Sequence, residues 1–294
     1  MSVLPDLDLA AQLFVDGLVD GSFVAIVAAS WSVIYSTTKV FHFAHALTFV
    51  VAAYVTALVA GTAGLPRPLA LAAGVGAAMV VGAATEVTLY RRLRNRGSSG
   101  FGMFLASMGL FIVGINVLSI VLGTRPRNIG RFPSNAIEFG PVRVTVVDLV
   151  MVLAVWSIVA ATLRFEVRSR WGRAMVAARV NPTMARAVGV DLQRVYLVAF
   201  AIGSGLVALA AFYQTAKTSA QPSMGIDPIM SGLVAMFLGG VGRTAGAVLG
   251  ALILGVSQNL GGLWLPGHWQ EIVSFVILFL VLLLRPQGLL ASPS

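Results

Sequence analysis

Apolar residues in this chain run in long, nearly unbroken stretches instead of alternating or returning at helical spacing. Eight stretches qualify by length, at about 12–36, 40–60, 68–90, 101–123, 147–163, 195–213, 229–260 and 271–284. A hydrocarbon core of roughly 30 Å takes about 20 helical residues to cross, and a helix apolar on all sides has no water-facing stripe. The pattern predicts an all-α polytopic membrane protein of about eight to nine transmembrane segments, a single transmembrane domain over residues 1–294. Gly, Ala and Ser recur in every stretch. Small residues let helix backbones approach closely where lipid removes the hydrophobic drive between helices.

Two interruptions carry local signals. The stretch 229–260 is too long for one span and contains Gly239-Gly240-Val241-Gly242-Arg243 and Gly246. Two helices meeting near Arg243 and one unbroken tilted helix both fit it, since glycine is tolerated in membrane helices and broken helices occur where they line a cavity. The second interruption, residues 164–194, is the one long polar insertion on the expected cytoplasmic side. Asn181 reads as a helix cap, Pro182 as the first helical residue and Gly189 as a left-handed stop. They predict a short helix from Pro182 to Val188, preceded by a helical turn around Arg173 to Ala178.

Composition sharpens the class. Hydrophobic residues make up 58% and charged residues 11% of 294 residues, against about 25% charged in soluble domains, so the chain cannot clothe a water-facing surface. The net charge of +9 would suggest nucleic acid in a soluble protein, but here the arginines lie at membrane boundaries and first suggest orientation. Arg91, Arg92, Arg94 and Arg96 follow the third stretch; Arg164, Arg168, Arg170, Arg173, Arg179, Arg186 and Arg194 follow the fifth. Two crossings separate these clusters, so both fall in the cytoplasm. The Met1 end carries Asp6 and Asp8 with no basic residue, unlike a cleaved signal peptide, and is expected outside. An inner-membrane protein with its N-terminus outside and C-terminus inside needs an odd number of crossings, which favours a split of 229–260. The basic insertion also suits anionic lipid head groups.

Catalytic chemistry is thin. With no cysteine, disulfides, thiolate catalysis and sulfur metal sites are excluded. His42-Phe43-Ala44-His45 has neither the Glu nor the spacing of a zinc-protease helix, and Gly97-Ser98-Ser99-Gly100-Phe101-Gly102 lacks the Lys of a phosphate-binding loop. We assign no catalytic or metal-ligating residue. Gly203-Ser204-Gly205 reads as a small-residue helix contact, and His268 among Trp264, Pro266 and Trp269 as an interfacial belt. Asp16 and Asp20 share a helix face in the first span, Glu86 sits one turn before Tyr90-Arg91 as an interfacial ion-pair candidate, and Asn116 is the most central strongly polar side chain of its stretch.

Five segments together resemble one family. Trp171-Gly172-Arg173-Ala174-Met175-Val176-Ala177-Ala178 with Asn181-Pro182, Ala185 and Ala187-Val188-Gly189-Val190 is similar to the coupling loop of branched-chain amino acid ABC-transporter permeases. Phe41-His42-Phe43-Ala44-His45-Ala46 with Ala53-Tyr54 resembles the family's N-F-A-H-G and A-Y motifs, with His42 and Ala46 as departures. Arg91-Arg92-Leu93-Arg94 with Leu105 to Leu110, Leu238-Gly239-Gly240-Val241-Gly242 with Gly246 to Ala251, and Leu284-Arg285-Pro286-Gln287-Gly288-Leu289 match its remaining blocks in order.

The resemblance implies a permease subunit of an ABC importer for branched-chain or related amino acids, with urea or short amides as alternatives. It implies a second related permease, two ATP-binding subunits holding the Mg-ATP, an extracytoplasmic solute-binding protein and membrane lipid as surroundings, with no cofactor in this chain and no nucleic acid. Gly172, Arg173, Ala174, Asn181, Pro182, Ala185 and Gly189 would meet the ATPase. His42, Phe43, His45, Asn116, Gly239, Gly240 and Gly242 would line the substrate path. A proton-coupled secondary transporter using Asp16, Asp20 or Glu86 is the competing expectation, and a polytopic membrane enzyme a third.

Overall fold

The computed structural model describes residues 7–130, 135–266 and 269–290. The chain is an all-α polytopic membrane protein. Among the described residues, eight helices are long and apolar enough to cross a membrane: Leu7–Thr38, His45–Thr62, Arg67–Asn95, Gly100–Leu122, Val146–Arg168, Leu192–Lys217, Pro222–Gly239 and Thr244–Gly261, with a shorter apolar helix over Ile272–Leu284. The elements are α1 (Leu7–Thr38), α2 (His45–Ala57), α3 (Arg67–Thr85), α4 (Arg91–Asn95), α5 (Gly100–Leu122), β1 (Ala136–Phe139), β2 (Val142–Thr145), α6 (Val146–Arg168), α7 (Arg170–Val180), α8 (Pro182–Ala187), α9 (Leu192–Lys217), α10 (Ile226–Gly239), α11 (Thr244–Gly261) and α12 (Gln270–Leu284). A π-helical turn over Leu58–Thr62 extends α2, another over Glu86–Tyr90 joins α3 to α4, and a 3₁₀ turn over Pro222–Gly225 leads into α10.

The chain divides into two compact units. One comprises Ser30–Arg131 and Ala161–Ile229. Its centre is α2, α3 and α9, and the reason they pack is visible along α3. Ala70, Gly74, Ala78, Gly82, Glu86 and Tyr90 recur every fourth residue and all are buried, so α3 presents one narrow stripe of mostly small residues. A Cβ on Gly74 would meet Thr56 of α2, and one on Gly82 would meet Ser204 of α9. The Gly203-Ser204-Gly205 motif is thus the helix contact expected of it, with Gly203 lying against Ile34 and the Ser30 carbonyl. At one end, Arg127 and Ala220 exchange two backbone hydrogen bonds of 3.0 and 2.8 Å, and the Tyr54 hydroxyl donates to the Gly123 carbonyl at 3.4 Å.

The other unit comprises Met1–Ala29, Phe132–Ala160 and Met230–Ser294. Here α1 and α11 run antiparallel with almost no side chain between them: Gly17 faces Val256, Gly21 faces Leu252, and Gly255 faces the Gly21 backbone. Trp156 of α6 donates its indole N–H to the Ser22 hydroxyl at 3.1 Å. The strands β1 and β2 form a short antiparallel hairpin that the apolar pattern did not predict. Gln12 holds it by both amide atoms: its Oε1 accepts from the Arg143 N–H at 2.7 Å and its Nε2 donates to the Arg143 carbonyl at 3.1 Å.

The long stretch 229–260 is broken, as one of its two readings requires. The chain leaves helix after Gly239 and re-enters at Thr244, with Gly240 and Gly242 both at φ +105°, a left-handed region open to residues without a Cβ. Gly246 lies against Gly239, and Gly250 against Ala235 and Gly239, so α10 and α11 double back as a tight hairpin. The unbroken helix does not form. The predicted turn at 173–178 is likewise larger than expected, an eleven-residue helix over Arg170–Val180, because Ser169 caps it by accepting from the Gly172 N–H at 2.8 Å. The belt residue His268 lies outside the described residues; Trp264 and Trp269 beside it are exposed.

Candidate functional site

The segment after α1 turns on Lys39, the one described non-glycine residue with positive φ, +57°. That turn drops His42 and His45 into the core, where both are completely buried. Each imidazole has one hydroxyl partner: His42 Nδ1 lies 2.8 Å from the Tyr90 hydroxyl, and His45 Nε2 lies 2.9 Å from Ser30 Oγ. The two rings sit 5.4 Å apart between Trp31, 5.7 Å from His45, and Phe200, 5.0 Å from His42. His42 Nε2 and His45 Nδ1 make no hydrogen bond to another protein group. Phe43 is half-buried against Phe111 at 5.4 Å and Phe104 at 6.2 Å, and its N–H donates to Ser107 Oγ at 3.1 Å. The motif is therefore a packed anchor in this unit, with two uncommitted ring nitrogens inside it.

Asn116 is elsewhere. It lies on the exposed face of α5 with Ile112, Val113, Val117 and Ile120, and its amide donates to the Ile112 carbonyl one turn back at 2.7 Å. Gly239 and Gly240 are buried and Gly242 half-buried at the turn of the α10–α11 hairpin. There the C-terminal block returns: the Leu289 N–H donates to the Leu238 carbonyl and the Leu290 N–H to the Gly239 carbonyl, both at 3.0 Å. These bonds occupy carbonyls that a helix end leaves without partners. Gly288, at φ +85°, sits so close to Gly240 that a Cβ would strike its N and Cα. Two motifs almost 50 residues apart in sequence thus form one backbone clasp.

The α7–α8 pair is built as its caps predict. Asn181 Oδ1 accepts from the Met184 N–H at 2.9 Å, Pro182 opens α8, and Gly189 stands at φ +87° in open space. Gly172 is pressed on the Phe165 and Glu166 backbone, which folds α7 back on the end of α6. Arg173 donates to the Arg168 carbonyl at 2.9 Å, Ala174 is half-buried, and Ala185 is buried beneath α8. Val180 at the end of α7, Met184 within α8 and Val188 just after α8 are all exposed, and α8 also carries Arg186.

Charged groups gather below the histidines. Glu86 is fully buried and pairs with Arg94, where its sequence position suggested an interface and a partner nearer Tyr90-Arg91. The Arg94 guanidinium lies 4.5 Å over the Tyr196 ring. Arg179 of α7 pairs with Glu166 at 3.6 Å; burial lowers the Arg179 pKa and the Glu166 carboxylate opposes that shift. Partial burial lowers the Lys39 pKa as well, and the nearby Arg179 charge adds to it. The carboxylates considered for proton coupling are engaged: Asp16 accepts from Gln12 at 2.8 Å and Asp20 from Asn259 at 3.0 Å. Sequence reasoning missed Tyr90, Arg94 and Tyr196. The period-four stripe of α3, which runs on through Glu86 to Tyr90, was the signal that contained part of this cluster.

The family described as branched-chain amino acid transport system / permease component matches residues 13–282, and the chain belongs to it. The high-affinity branched-chain amino acid transport system permease protein LivH of Salmonella typhimurium is 29% identical over 300 aligned positions, covering 96% of this chain and 95% of the relative. The corresponding protein BraD of Pseudomonas aeruginosa is 27% identical, covering 99% and 98%. Among solved structures, a chain of PsaBC from Streptococcus pneumoniae in complex with Fab is 12% identical, with a TM-score of 0.49 over 94% of this chain and 93% of that one. The protein is a multi-pass membrane transport component.

Proposed function

We propose that the chain is a permease subunit of an ATP-driven importer for branched-chain or related amino acids. It works with a second related permease, two ATP-binding subunits and an extracytoplasmic solute-binding protein. The observation that carries this reading is α8, a short helix capped by Asn181 that exposes Met184, with Val180 before it and Val188 after it exposed as well. Such a helix seats in a cleft of a partner ATPase, and closure of two ATPases on ATP biases the permease toward one of its access states by differential contact. Gly172, Arg173, Ala174, Asn181, Pro182, Ala185 and Gly189 shape this element. The exposed carboxamide of Asn116 on an otherwise apolar α5 face supports a protein or aqueous neighbour there, because polar groups are costly against lipid. The substrate path runs at the interface of the two permeases; His42, Phe43 and His45 act on it by fixing the helices of one unit, and Gly239, Gly240 and Gly242 by fixing those of the other.

In this reading the N-terminus is outside and the C-terminus is cytoplasmic. The test is uptake in proteoliposomes holding the complete complex. Labelled leucine should enter only with ATP on the ATPase side and the binding protein on the other, and an excess of urea should not compete. Uptake by this chain alone, driven by a proton gradient, would overturn the reading.

A further inference from the structure

We propose that Glu86, Arg94 and Tyr196 form a positioning link that carries movement of α8 to the buried His42–His45 pair. The inference rests on the importer reading above and deepens it. All the groups lie in one compact unit. α8 packs on α9, the helix that carries Tyr196. The Tyr196 ring carries Arg94 stacked at 4.5 Å, and Arg94 holds the carboxylate of Glu86. Glu86 opens the π turn that ends at Tyr90, and the Tyr90 hydroxyl meets His42 at 2.8 Å. From His42 the chain of contacts passes to His45 and then to Ser30 Oγ at 2.9 Å.

Three features mark this as a device and not only as packing. A fully buried carboxylate in a membrane-depth helix is costly, and an apolar pair of the same volume serves stability at least as well. The pair exists because of an irregularity: residues eight apart on a regular α-helix lie about 80° apart around the axis, and the π turn shifts that phase so that Arg94 meets Glu86. Such turns inside α-helices occur often at functional sites. The pair is also incompletely used. Glu86 Oε2 and Arg94 Nη1 are buried without hydrogen-bond partners, so the same two groups can close into a two-pronged fork without recruiting another residue. A neighbouring charge competes, since Arg91 also acts on Glu86. Two arrangements of one buried pair, reached from a surface helix through an aromatic ring, supply the two-state element that coupling between distant sites requires.

The experiment uses the complete reconstituted complex and reads two quantities, ATP hydrolysed and leucine taken up. In Glu86→Gln and in Arg94→Lys, which keeps the charge but loses the fork, hydrolysis continues while uptake per ATP falls about tenfold, within the usual range of coupling effects. Tyr196→Phe, which retains the ring, stays near the parent; Tyr196→Leu falls with the other two. The exchanged pair, Glu86→Arg with Arg94→Glu, recovers part of the loss. A purely structural role would lower the amount of assembled complex and leave uptake per ATP unchanged. Parental uptake per ATP in Arg94→Lys and Tyr196→Leu overturns the link while leaving the importer reading intact. Absence of ATP-driven uptake by the parent complex overturns the importer reading itself. Should Glu86→Gln fail to insert, Arg94→Lys and the two Tyr196 variants decide the matter.

Discussion

At the scale of single residues, the α7–α8 pair depends on two conformational devices that can be separated by substitution. Gly189 stands in open space at φ +87°, so a side chain there meets no neighbour and the whole effect of a change comes from the backbone. Left-handed geometry costs an L-residue roughly 1–2 kcal/mol, least for Asn. Gly189→Val should therefore weaken capture of the ATPase subunits about tenfold, equivalent to about 1.4 kcal/mol, without lowering membrane insertion. Gly189→Asn should lose much less. Asn181→Ala removes the acceptor for the Met184 N–H and should cost about 1 kcal/mol, placing it between the two; Asn181→Ser should behave as the parent. Equal capture by all four variants in a pull-down with purified ATPase would show that the helix pair is not the docking element. These positions were legible in the sequence because a cap is decided within four residues. The His42–Tyr90 hydrogen bond joins residues 48 apart, and nothing local announces it.

At the scale of elements, the apolar pattern located every membrane helix, and it failed where local and tertiary causes compete. The ends of α1 and α6 extend past the apolar stretches, to Leu7 and to Arg168, because lengthening a helix needs no new nucleus and Leu9, Ala10, Ala11, Arg164, Glu166 and Arg168 are good helix formers. The β1–β2 hairpin was hidden: its second strand, Val142–Thr145, abuts the apolar run of α6, and what holds it is Gln12, more than a hundred residues away. The break in 229–260 was legible as a possibility, since three glycines and an arginine sit together. What decides it is the absence of side chains at facing positions of α10 and α11. We expect Gly246→Leu to abolish the hairpin, because the new side chain would occupy the Gly239 carbonyl; overpacking of this kind costs about 1–3 kcal/mol or more. Gly288→Ala should act more gently, by prising the C-terminal clasp from Gly240. Thermal unfolding in detergent, followed by the monodisperse fraction on gel filtration, should rank Gly246→Leu below Gly288→Ala and both below the parent. A Gly288→Ala protein as stable as the parent would mean that the clasp contributes nothing.

At the scale of the whole molecule, the contacts within each unit sort its loops into two ends, and that sorting makes the proposed sidedness testable in one experiment. In one unit, the segment at Lys39 lies near Arg179 of α7, Arg94 at the end of α4 lies over Tyr196 near the start of α9, and α7 and α8 pack on α9. The loops at Gly61, Asn128 and Ala220 meet one another at the other end. In the other unit, the α10–α11 turn and residues 288–290 share an end through the clasp, whereas Gln12 and the β-hairpin share another. If the arginine-rich end is cytoplasmic, as positive charge near short loops dictates, then crossing by both α10 and α11 puts Val241 on the cytoplasmic side together with the C-terminal clasp. A hairpin that only dips into the bilayer would leave Val241 shielded from both sides. The chain contains no cysteine, so single-cysteine variants can be read without a background. Asn95→Cys, Val188→Cys and Val241→Cys should react with an impermeant thiol reagent only in inside-out vesicles; Leu65→Cys, Phe139→Cys and Trp264→Cys should react only in right-side-out ones. Labelling of Val241→Cys from the outside, or from neither side while Asn95→Cys and Phe139→Cys behave as expected, would remove the double crossing and with it the odd count that separates the two termini.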